Sequence, residues 1–299
     1  MGYSGPNFAA RSLRKGESGV IAVILADSLS YIFSDPVANQ LLQGISEVLA
    51  QHNKQLLLLS SHMQSAEESN AESLPDGFIL YGAPRGNAFE RLLRTKKPLV
   101  AVDFESALTG SVNIDNEQGA YSVAKHLLSG SRANIAVLGL RLIDSQRVCR
   151  LTKEDLMHGS REISRNRLAG YMRAADEKAL TIAPERVWHI PVNTPESAEI
   201  AAREALSSSP RPQVLLCMSD VIALAAVRVA KELNIRIPED ISIAGFDDIP
   251  EASRSDPPLT SVCQQSLEKG RVAARMLFGG LKQEKLILET RLVVRKSSL

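Results

Sequence analysis

Short apolar runs rich in valine, isoleucine and leucine alternate with longer segments of helical period from Val20 onward. The runs are VIAVIL (20–25), LLLLS (56–60), GFILY (77–81), PLVAV (98–102), NIAVLG (134–139), VWHI (187–190), QVLLCM (213–218) and ISIAGF (241–246). The helical segments cover 36–52, 117–128, 166–180, 195–206, 220–233 and 265–278. Continuous apolar runs are typical of parallel strands that helices bury on both faces. The pattern therefore predicts an α/β protein.

Eight strands are less common in one open sheet than in two smaller sheets, so we expect two doubly wound parallel-sheet lobes. Ligands of such sheets bind beyond the carboxyl ends of the strands. The residues at those positions are rich in Asp, Asn, Arg, Tyr and Phe, in the segments 27–35, 81–84, 103–104, 139–167, 193, 219–220 and 246–248. Together they suit a polyhydroxylated ligand such as a sugar or nucleoside. Taken singly, Asp35 and Asp220 are better interpreted as helix caps.

Charge and cysteine content narrow the class of protein. The 35 basic residues nearly balance the 34 acidic ones, so any contact with nucleic acid must be local. We find neither a run of about 18 apolar residues nor a secretory signal, which argues against a membrane or exported protein. Cys149, Cys217 and Cys263 are widely spaced, as expected of reduced thiols in the cytoplasm.

The motifs of common enzyme classes are missing from the sequence. It holds no G-x-G-x-x-G, P-loop, C-x-x-C, H-E-x-x-H or G-x-S-x-G pattern, and its five histidines are scattered. The adjacent Asp247 and Asp248 could suggest paired catalytic carboxylates, but consecutive residues at a strand end usually point apart. We therefore predict no catalytic residue, metal site or cofactor.

The N-terminal segment PNFAARSLRKG (6–16) differs from the rest of the chain. Pro6, a capping Asn7 and good helix formers predict a helix of about two turns. Arg11, Arg14 and Lys15 lie close together, and Leu13 among them has no obvious core to join. Cations that hold phosphates beside an aliphatic wedge suit insertion into the minor groove of DNA. On charge alone, a disordered basic tail is the stronger alternative.

Several segments resemble bacterial transcription repressors of the LacI type. GYSGPNFAARSLRKGESGVIAV is similar to the end of their DNA-reading headpiece, hinge helix and first core strand. DGFILYG, PLVAVDFES, SRNRLAGY and ETRLVVRKSS follow the family's order and spacing. The most specific stretch is IPEDISIAGFDD followed by PPLTSV. The resemblance covers essentially the whole chain.

This resemblance implies a periplasmic-binding-protein-like core of two lobes joined by three crossovers. It places one lobe at 18–114 plus 264–282 and the other at 115–263 plus 283–299, after a hinge-helix segment at 1–17. The family's helix-turn-helix headpiece is missing, so we expect no base-specific recognition by this chain alone. A homodimer, with a tetramer as the alternative, would bind operator DNA with an affinity controlled by a sugar-like effector in the interlobe cleft.

The resemblance also implies roles for individual residues. Arg167 and Asp247 match effector-contacting positions, Phe104 matches a ring-stacking position, and Asn193 matches a position that is often aromatic. The strand-end loops add further candidates to the effector set: Tyr31, Phe33, Asp35, Ser219 and Asp220. Leu13 matches the leucine that wedges into the minor groove. The rest of the DNA-binding hinge is Asn7, Arg11, Ser12 and Arg14.

Two segments depart from the family's pattern. The loops at 27–35 and 140–163 are longer than usual and flank the expected effector site, where they could cover the cleft or extend an interface. Two other functions share the expected fold: an exported sugar-binding protein without DNA binding, and a headless regulator that acts by forming mixed dimers. The missing signal sequence and the basic N-terminal segment argue against the first.

Overall fold

The computed structural model describes residues 17–61, 72–84, 86–130, 134–157, 162–279 and 284–298. The strands are β1 (Val20–Leu25), β2 (Gln55–Ser60), β3 (Gly77–Tyr81), β4 (Leu99–Val102), β5 (Gly110–Ile114), β6 (Ile135–Gly139), β7 (Cys149–Arg150), β8 (Val187–His189), β9 (Val214–Cys217), β10 (Ser242–Ala244), β11 (Ser261–Cys263), β12 (Lys285–Leu288) and β13 (Arg291–Val293). The helices are α1 (Leu29–Ser34), α2 (Pro36–Gln51), α3 (Ala88–Arg94), α4 (Asn116–Leu127), α5 (Lys153–Met157), α6 (Glu162–Asp176), α7 (Pro195–Leu206), α8 (Asp220–Glu232), α9 (Pro250–Arg254) and α10 (Ser266–Phe278).

The chain divides into two compact units, Met1–Ile114 with Gln265–Leu288 and Asp115–Gln264 with Glu289–Leu299. The first unit extends beyond the expected limit of 282, because β12 pairs in parallel with β5 of the same unit. Gln264 belongs to the second unit, where its side chain donates a hydrogen bond to Asp247.

The first unit is built on a six-stranded sheet with the order β12-β5-β4-β3-β1-β2, and all of its neighbouring strands run parallel. One face buries α2 and α10 in a core that includes Leu41, Ile45 and Ala273. The other face packs Phe78 and Leu80 against Leu92 of α3. Three of the continuous apolar runs thus form the central strands β1, β3 and β4, as the sequence predicted, whereas the run at 56–60 forms the partly buried edge strand β2.

Close contact between α2 and α10 depends on two glycines. A Cβ atom on Gly270 would lie 2.1 Å from the carbonyl oxygen of Leu41, and one on Gly44 would lie 2.0 Å from that of Leu267. No side chain fits at such distances, so both helices approach backbone to backbone.

The second unit has a five-stranded sheet with the order β10-β9-β6-β8-β7 and a small antiparallel pair, β11 with β13. The predicted α/β class with parallel sheets is confirmed, with one difference. The added edge strand β7 runs antiparallel to β8. Helix α4 packs against α6, and α7 packs against α8.

The long segment at 140–163 provides β7, α5 and the start of α6. Several side chains attach it to the second unit. The Nδ1 atom of His189 accepts the N–H of Leu142 at 3.0 Å, and the Ser164 hydroxyl donates to the carbonyl of Arg141 at 2.9 Å. The Arg165 guanidinium donates to the carbonyl of Leu142 at 3.1 Å. The described part of this segment is therefore an integral part of the unit's fold.

None of the helices within the described ranges has the length and apolar content needed to cross a bilayer.

Candidate functional site

Most of the predicted effector residues of the second unit follow the carboxyl ends of its parallel strands. Asn193 comes after β8, Ser219 and Asp220 come after β9, and Asp247 comes after β10. Arg167 reaches the same end of the sheet from α6, because its guanidinium donates to the main-chain carbonyl of Met218, directly after β9. Parallel strands bring these residues to one edge although they are far apart in sequence.

Arg167 is buried, with 4% of its surface exposed. Its Nε donates to Asn116 Oδ1 at 2.9 Å, and its Nη1 lies 3.5 Å from Asp247 Oδ1. The guanidinium carbon stands 3.6 Å from the centroid of the Phe246 ring, in a cation–π stack. These three groups and the Met218 carbonyl together fix the plane of the guanidinium. The side chain is therefore held in one orientation.

Asp247 has a constrained backbone as well as a buried side chain. It is 5% exposed and has φ of 122°, a conformation that residues with a Cβ atom rarely adopt. Its N–H donates to the Val262 carbonyl at 2.8 Å, and its Oδ1 accepts Gln264 Nε2 at 2.6 Å. Backbone strain of this kind is common where a side chain must point in a particular direction.

The carboxylate of Asp220 stabilises the same turn through two hydrogen bonds. Its Oδ1 accepts the Ser261 hydroxyl at 2.6 Å, and its Oδ2 accepts the N–H of Ile249 at 2.9 Å. Burial raises the pKa of Asp220 well above its ordinary value, and the charge of Asp247 raises it further. A Cβ atom on residue 245 would lie 2.1 Å from Asp220 Oδ1, so Gly245 makes room for the carboxyl.

Ser219 and Asn193 form a smaller polar pair beside this turn. The Ser219 hydroxyl caps α8 by accepting the N–H of Ile222 at 3.2 Å, and it donates to Asn193 Oδ1 at 2.7 Å. Ser219 therefore has a structural role in the cap, whichever other contacts the pair makes.

The remaining predicted residues lie in the first unit. Helix α1, formed by the long loop at 27–35, carries Tyr31, which is half-buried against the core, and Phe33, which is 63% exposed. Phe104 is half-buried, packs against the core and meets Phe89 edge to face, with ring centroids 6.0 Å apart. The half-buried Phe104 and the exposed Phe33 thus present aromatic surface at the strand ends.

Asp35 caps α2 by accepting the N–H of Val37 at 3.1 Å, as expected for a helix cap. Burial raises the pKa of its carboxyl to about 6, and the charges of Asp27 and Asp103 add to the rise. Hydrogen bonds from the backbone of Val37 and Ala38 lower the pKa but do not cancel this effect. Asp103 itself pairs with Lys269 at 2.7 Å, and Lys269 is fully buried. Carboxyl groups therefore dominate this end of the first sheet.

The sequence did not identify two residues that hold the buried pair. Asn116 begins α4 and Gln264 follows β11, and their amides bind Arg167 and Asp247. Both lie in segments that resemble the family, but their contact is visible only in three dimensions. Phe246 is a predicted strand-end residue, and its stacking on Arg167 has no signal in the local sequence.

The predicted DNA-binding residues, Asn7, Arg11, Ser12, Leu13 and Arg14, lie outside the described residues. In the part of the chain that the structure describes, no three His, Cys, Asp or Glu side chains form a group that could hold a metal ion.

Comparison with known proteins gives a consistent result. Residues 111–298 match the family described as periplasmic binding protein-like domain. The chain is 31% identical over 291 residues to the HTH-type transcriptional regulator Rv3575c of Mycobacterium tuberculosis, covering 93% of this chain and 79% of that protein.

Solved structures share the fold. A LacI-family regulator from Corynebacterium glutamicum aligns with a TM-score of 0.82 at 22% identity, over 96% of this chain and 88% of that one. A LacI-family regulator from Enterococcus faecium, solved with bound ribose, aligns with a TM-score of 0.75 at 23% identity, over 93% of this chain and 98% of that one.

Proposed function

Because the chain belongs to the LacI family of transcriptional regulators, whose members bind sugar effectors and operator DNA, we propose that it represses transcription under control of a neutral, polyhydroxylated effector. The buried pair of Arg167 and Asp247, stacked on Phe246, carries the proposal. A guanidinium donates hydrogen bonds and a carboxylate accepts them, so together they suit neighbouring hydroxyl groups, which do both.

The other candidate residues of each unit, taken by themselves, favour the same class of effector. Phe33 and Phe104 offer aromatic surface for the apolar face of a sugar ring. Asp35, beside the charges of Asp27 and Asp103, disfavours an anionic ligand such as a sugar phosphate. Asn193 and Ser219 add a polar pair that can bind a hydroxyl group.

A thermal-shift screen against sugars, polyols, nucleosides, sugar acids and sugar phosphates tests the effector assignment. A ligand at 100 times its Kd stabilises the folded state by about 2.7 kcal/mol, which raises the melting temperature visibly. We expect a neutral sugar or polyol to act, and Asp247→Asn to abolish the shift.

Asp240→Asn is the matched control, because Asp240 also pairs with an arginine, Arg236, at an exposed position of the second unit. It should leave the shift intact. An unchanged shift in Asp247→Asn would contradict the assignment.

We place the DNA contact in the N-terminal segment, where Arg11 and Arg14 supply positive charge and Leu13 an aliphatic side chain. Asn7 and Ser12 complete this set. Effector and operator binding should be reciprocally coupled, by about 1 to 3 kcal/mol. Fluorescence anisotropy with a labelled DNA duplex of random sequence at low salt, with and without the sugar, measures that coupling for the DNA contact of this chain.

Operator recognition favours a homodimer, since a palindromic DNA site matches a twofold protein. Sedimentation at micromolar concentration should show a dimer, and a monomer would contradict this part of the proposal. Binding to chromosomal DNA places the protein in the cytoplasm, and the role requires no catalytic step.

A further inference from the structure

The carboxylate of Asp76 binds the residues at the start of β1. Its Oδ1 accepts the Ser18 N–H at 2.7 Å and the Ser18 hydroxyl at 2.9 Å. Its Oδ2 accepts the Gly19 N–H at 2.8 Å and Lys54 Nζ at 3.0 Å. Lys54 also contacts Glu17 at 3.0 Å. We call Glu17, Ser18, Gly19, Lys54 and Asp76 the Asp76 anchor.

Main-chain hydrogen bonds extend the anchor into the sheet. The Gln55 N–H donates to the Gly19 carbonyl, and the Asp76 N–H donates to the Val20 carbonyl, both at 2.7 Å. Partial burial disfavours the charge of Asp76, but the hydrogen bonds from Ser18, Lys54 and Gly19 outweigh it and lower its pKa. Asp76 is therefore ionised at neutral pH. Hydrogen bonds from both side chains and main chain hold the residues at the start of β1 in place.

The anchor lies close to the proposed DNA-binding segment in the sequence. Only Lys15 and Gly16 separate Arg14 from Glu17. From there β1 runs for six residues, about 20 Å, to the loop that carries Asp27, Tyr31 and Asp35. The strand β1 thus connects the Asp76 anchor with the candidate effector residues at the opposite end of the same sheet.

We propose that Asp76 is a positioning residue for DNA binding, because it holds Ser18 and Gly19, which closely follow the segment proposed to contact DNA. The inference rests on the proposed function. A DNA-binding segment whose point of attachment is held in place loses less conformational freedom when it binds DNA. Lys54 assists by joining Asp76 to Glu17, so its loss should have the same effect to a smaller degree.

Asp76→Asn is the decisive variant, because asparagine has nearly the same size as aspartate. Each carboxylate oxygen of Asp76 accepts two hydrogen bonds, and asparagine replaces one of these oxygens by an NH2 group, which cannot accept them. Hydrogen exchange at the Ser18 and Gly19 amides should rise, by at least about tenfold at the amide that loses its acceptor, whereas the other amide keeps a bond to a neutral oxygen. Asp240→Asn is the control, because that carboxylate likewise accepts a main-chain N–H and an arginine, but in the second unit.

The functional measurement is the affinity of the whole chain for DNA duplexes of random sequence at low salt, because base-specific recognition is not expected of this chain alone. Asp76→Asn should bind them about tenfold more weakly, while its thermal shift with an active sugar remains that of the wild type. Lys54→Met should weaken DNA binding less than Asp76→Asn does, and Lys54→Arg, which keeps the positive charge, should bind DNA as the wild type does.

The outcomes separate the two proposals. Exchange at Ser18 and Gly19 equal to that of the wild type would overturn the anchor, and so would DNA affinity equal to that of Asp240→Asn. If the wild type binds no DNA duplex at low salt, the DNA-binding function itself fails, and this inference fails with it even if the exchange rises. A lowered melting temperature with unchanged DNA affinity would show a purely structural role and would overturn the inference as well.

Discussion

The two units place polar groups at the carboxyl ends of their sheets in different ways. In the second unit Arg167 and Asp247 are both buried, oppositely charged and held by neutral partners. In the first unit Asp35 lies near the charges of Asp27 and Asp103, and the pKa of its carboxyl is raised to about 6. One group of residues is neutral as a pair, whereas the other contains a carboxyl that releases its proton close to neutral pH.

The difference separates two physical tasks. A balanced buried pair gives fixed direction to its hydrogen bonds, but removing either partner leaves an uncompensated charge. A carboxyl group with a raised pKa costs folding free energy whenever it is ionised. The pair of Arg167 and Asp247 should therefore be sensitive to substitution, whereas Asp35, like Asp220 of the second unit, adds a dependence on pH.

The largest effect is expected for Arg167→Met, which leaves Asp247 buried without its cation. The variant should lose about 3 to 5 kcal/mol of unfolding free energy, measured by urea denaturation. Arg173→Met is the matched control on the same helix, because Arg173 pairs with Glu117 and stacks on Tyr121 at an exposed position. Its loss should be only about 0 to 1 kcal/mol. Equal losses in both variants would remove the distinction between the two arginines.

A smaller effect is expected for Gly170→Ala, which tests how closely α6 must approach α4. The new Cβ atom would lie 2.2 Å from the Glu117 carbonyl oxygen and 2.7 Å from the Tyr121 nitrogen, so the helices must separate. We expect a loss of about 1 to 3 kcal/mol in urea denaturation and weaker effector binding, because Asn116 and Arg167 move apart. Gly130→Ala, where the new atom meets nothing within 4 Å, should be close to neutral. A neutral Gly170→Ala would show that the spacing is not critical.

The smallest effect, and the one that depends on pH, concerns Asp35→Asn. Since the pKa of Asp35 in the folded protein, about 6, exceeds the ordinary 3.8, its protonated form stabilises folding fully below pH 3.8. That stabilisation is lost as the pH rises through 6. Asparagine also caps helices well, so the variant should be about as stable as the wild type below pH 4 and more stable above pH 7, by at most about 3 kcal/mol.

Thermal melts across this pH range measure the effect. Asp115→Asn provides the comparison, because Asp115 caps α4 in the same way at an exposed position. A difference from the wild type that stays constant from pH 4 to pH 8 would show that Asp35 does not titrate as described.

The sequence predicted the buried strands and the long amphipathic helices well, because each has a periodic apolar pattern that packing preserves. It did not identify β5, β7, β11, β12 and β13, which have two to five residues each and too little pattern to detect. It also missed the short helices α1, α3, α5 and α9, none of which is longer than seven residues.

The sequence predicted the position of a candidate residue at the sheet edge where that residue closely follows a strand, as Asp247 follows β10. The sequence could not show that Arg167 is buried, since arginine is rarely buried and the partners Asn116 and Gln264 are distant along the chain. The helix-cap interpretation suits Asp35, whereas Asp220 instead supports the turn before Ile249. Tertiary contacts of this kind have no signal in the local sequence.

The two outer strands of the second sheet affect how the protein behaves at high concentration. On one side β7 has only two residues and ends in a charged one, Arg150, and on the other side the main chain of Ser297 bonds to Ile243 of β10. Short, charged or covered edges prevent a sheet from extending into a neighbouring molecule. The long loop that supplies β7 should therefore also protect the protein against aggregation, and shortening it would expose the edge of β8 to other chains.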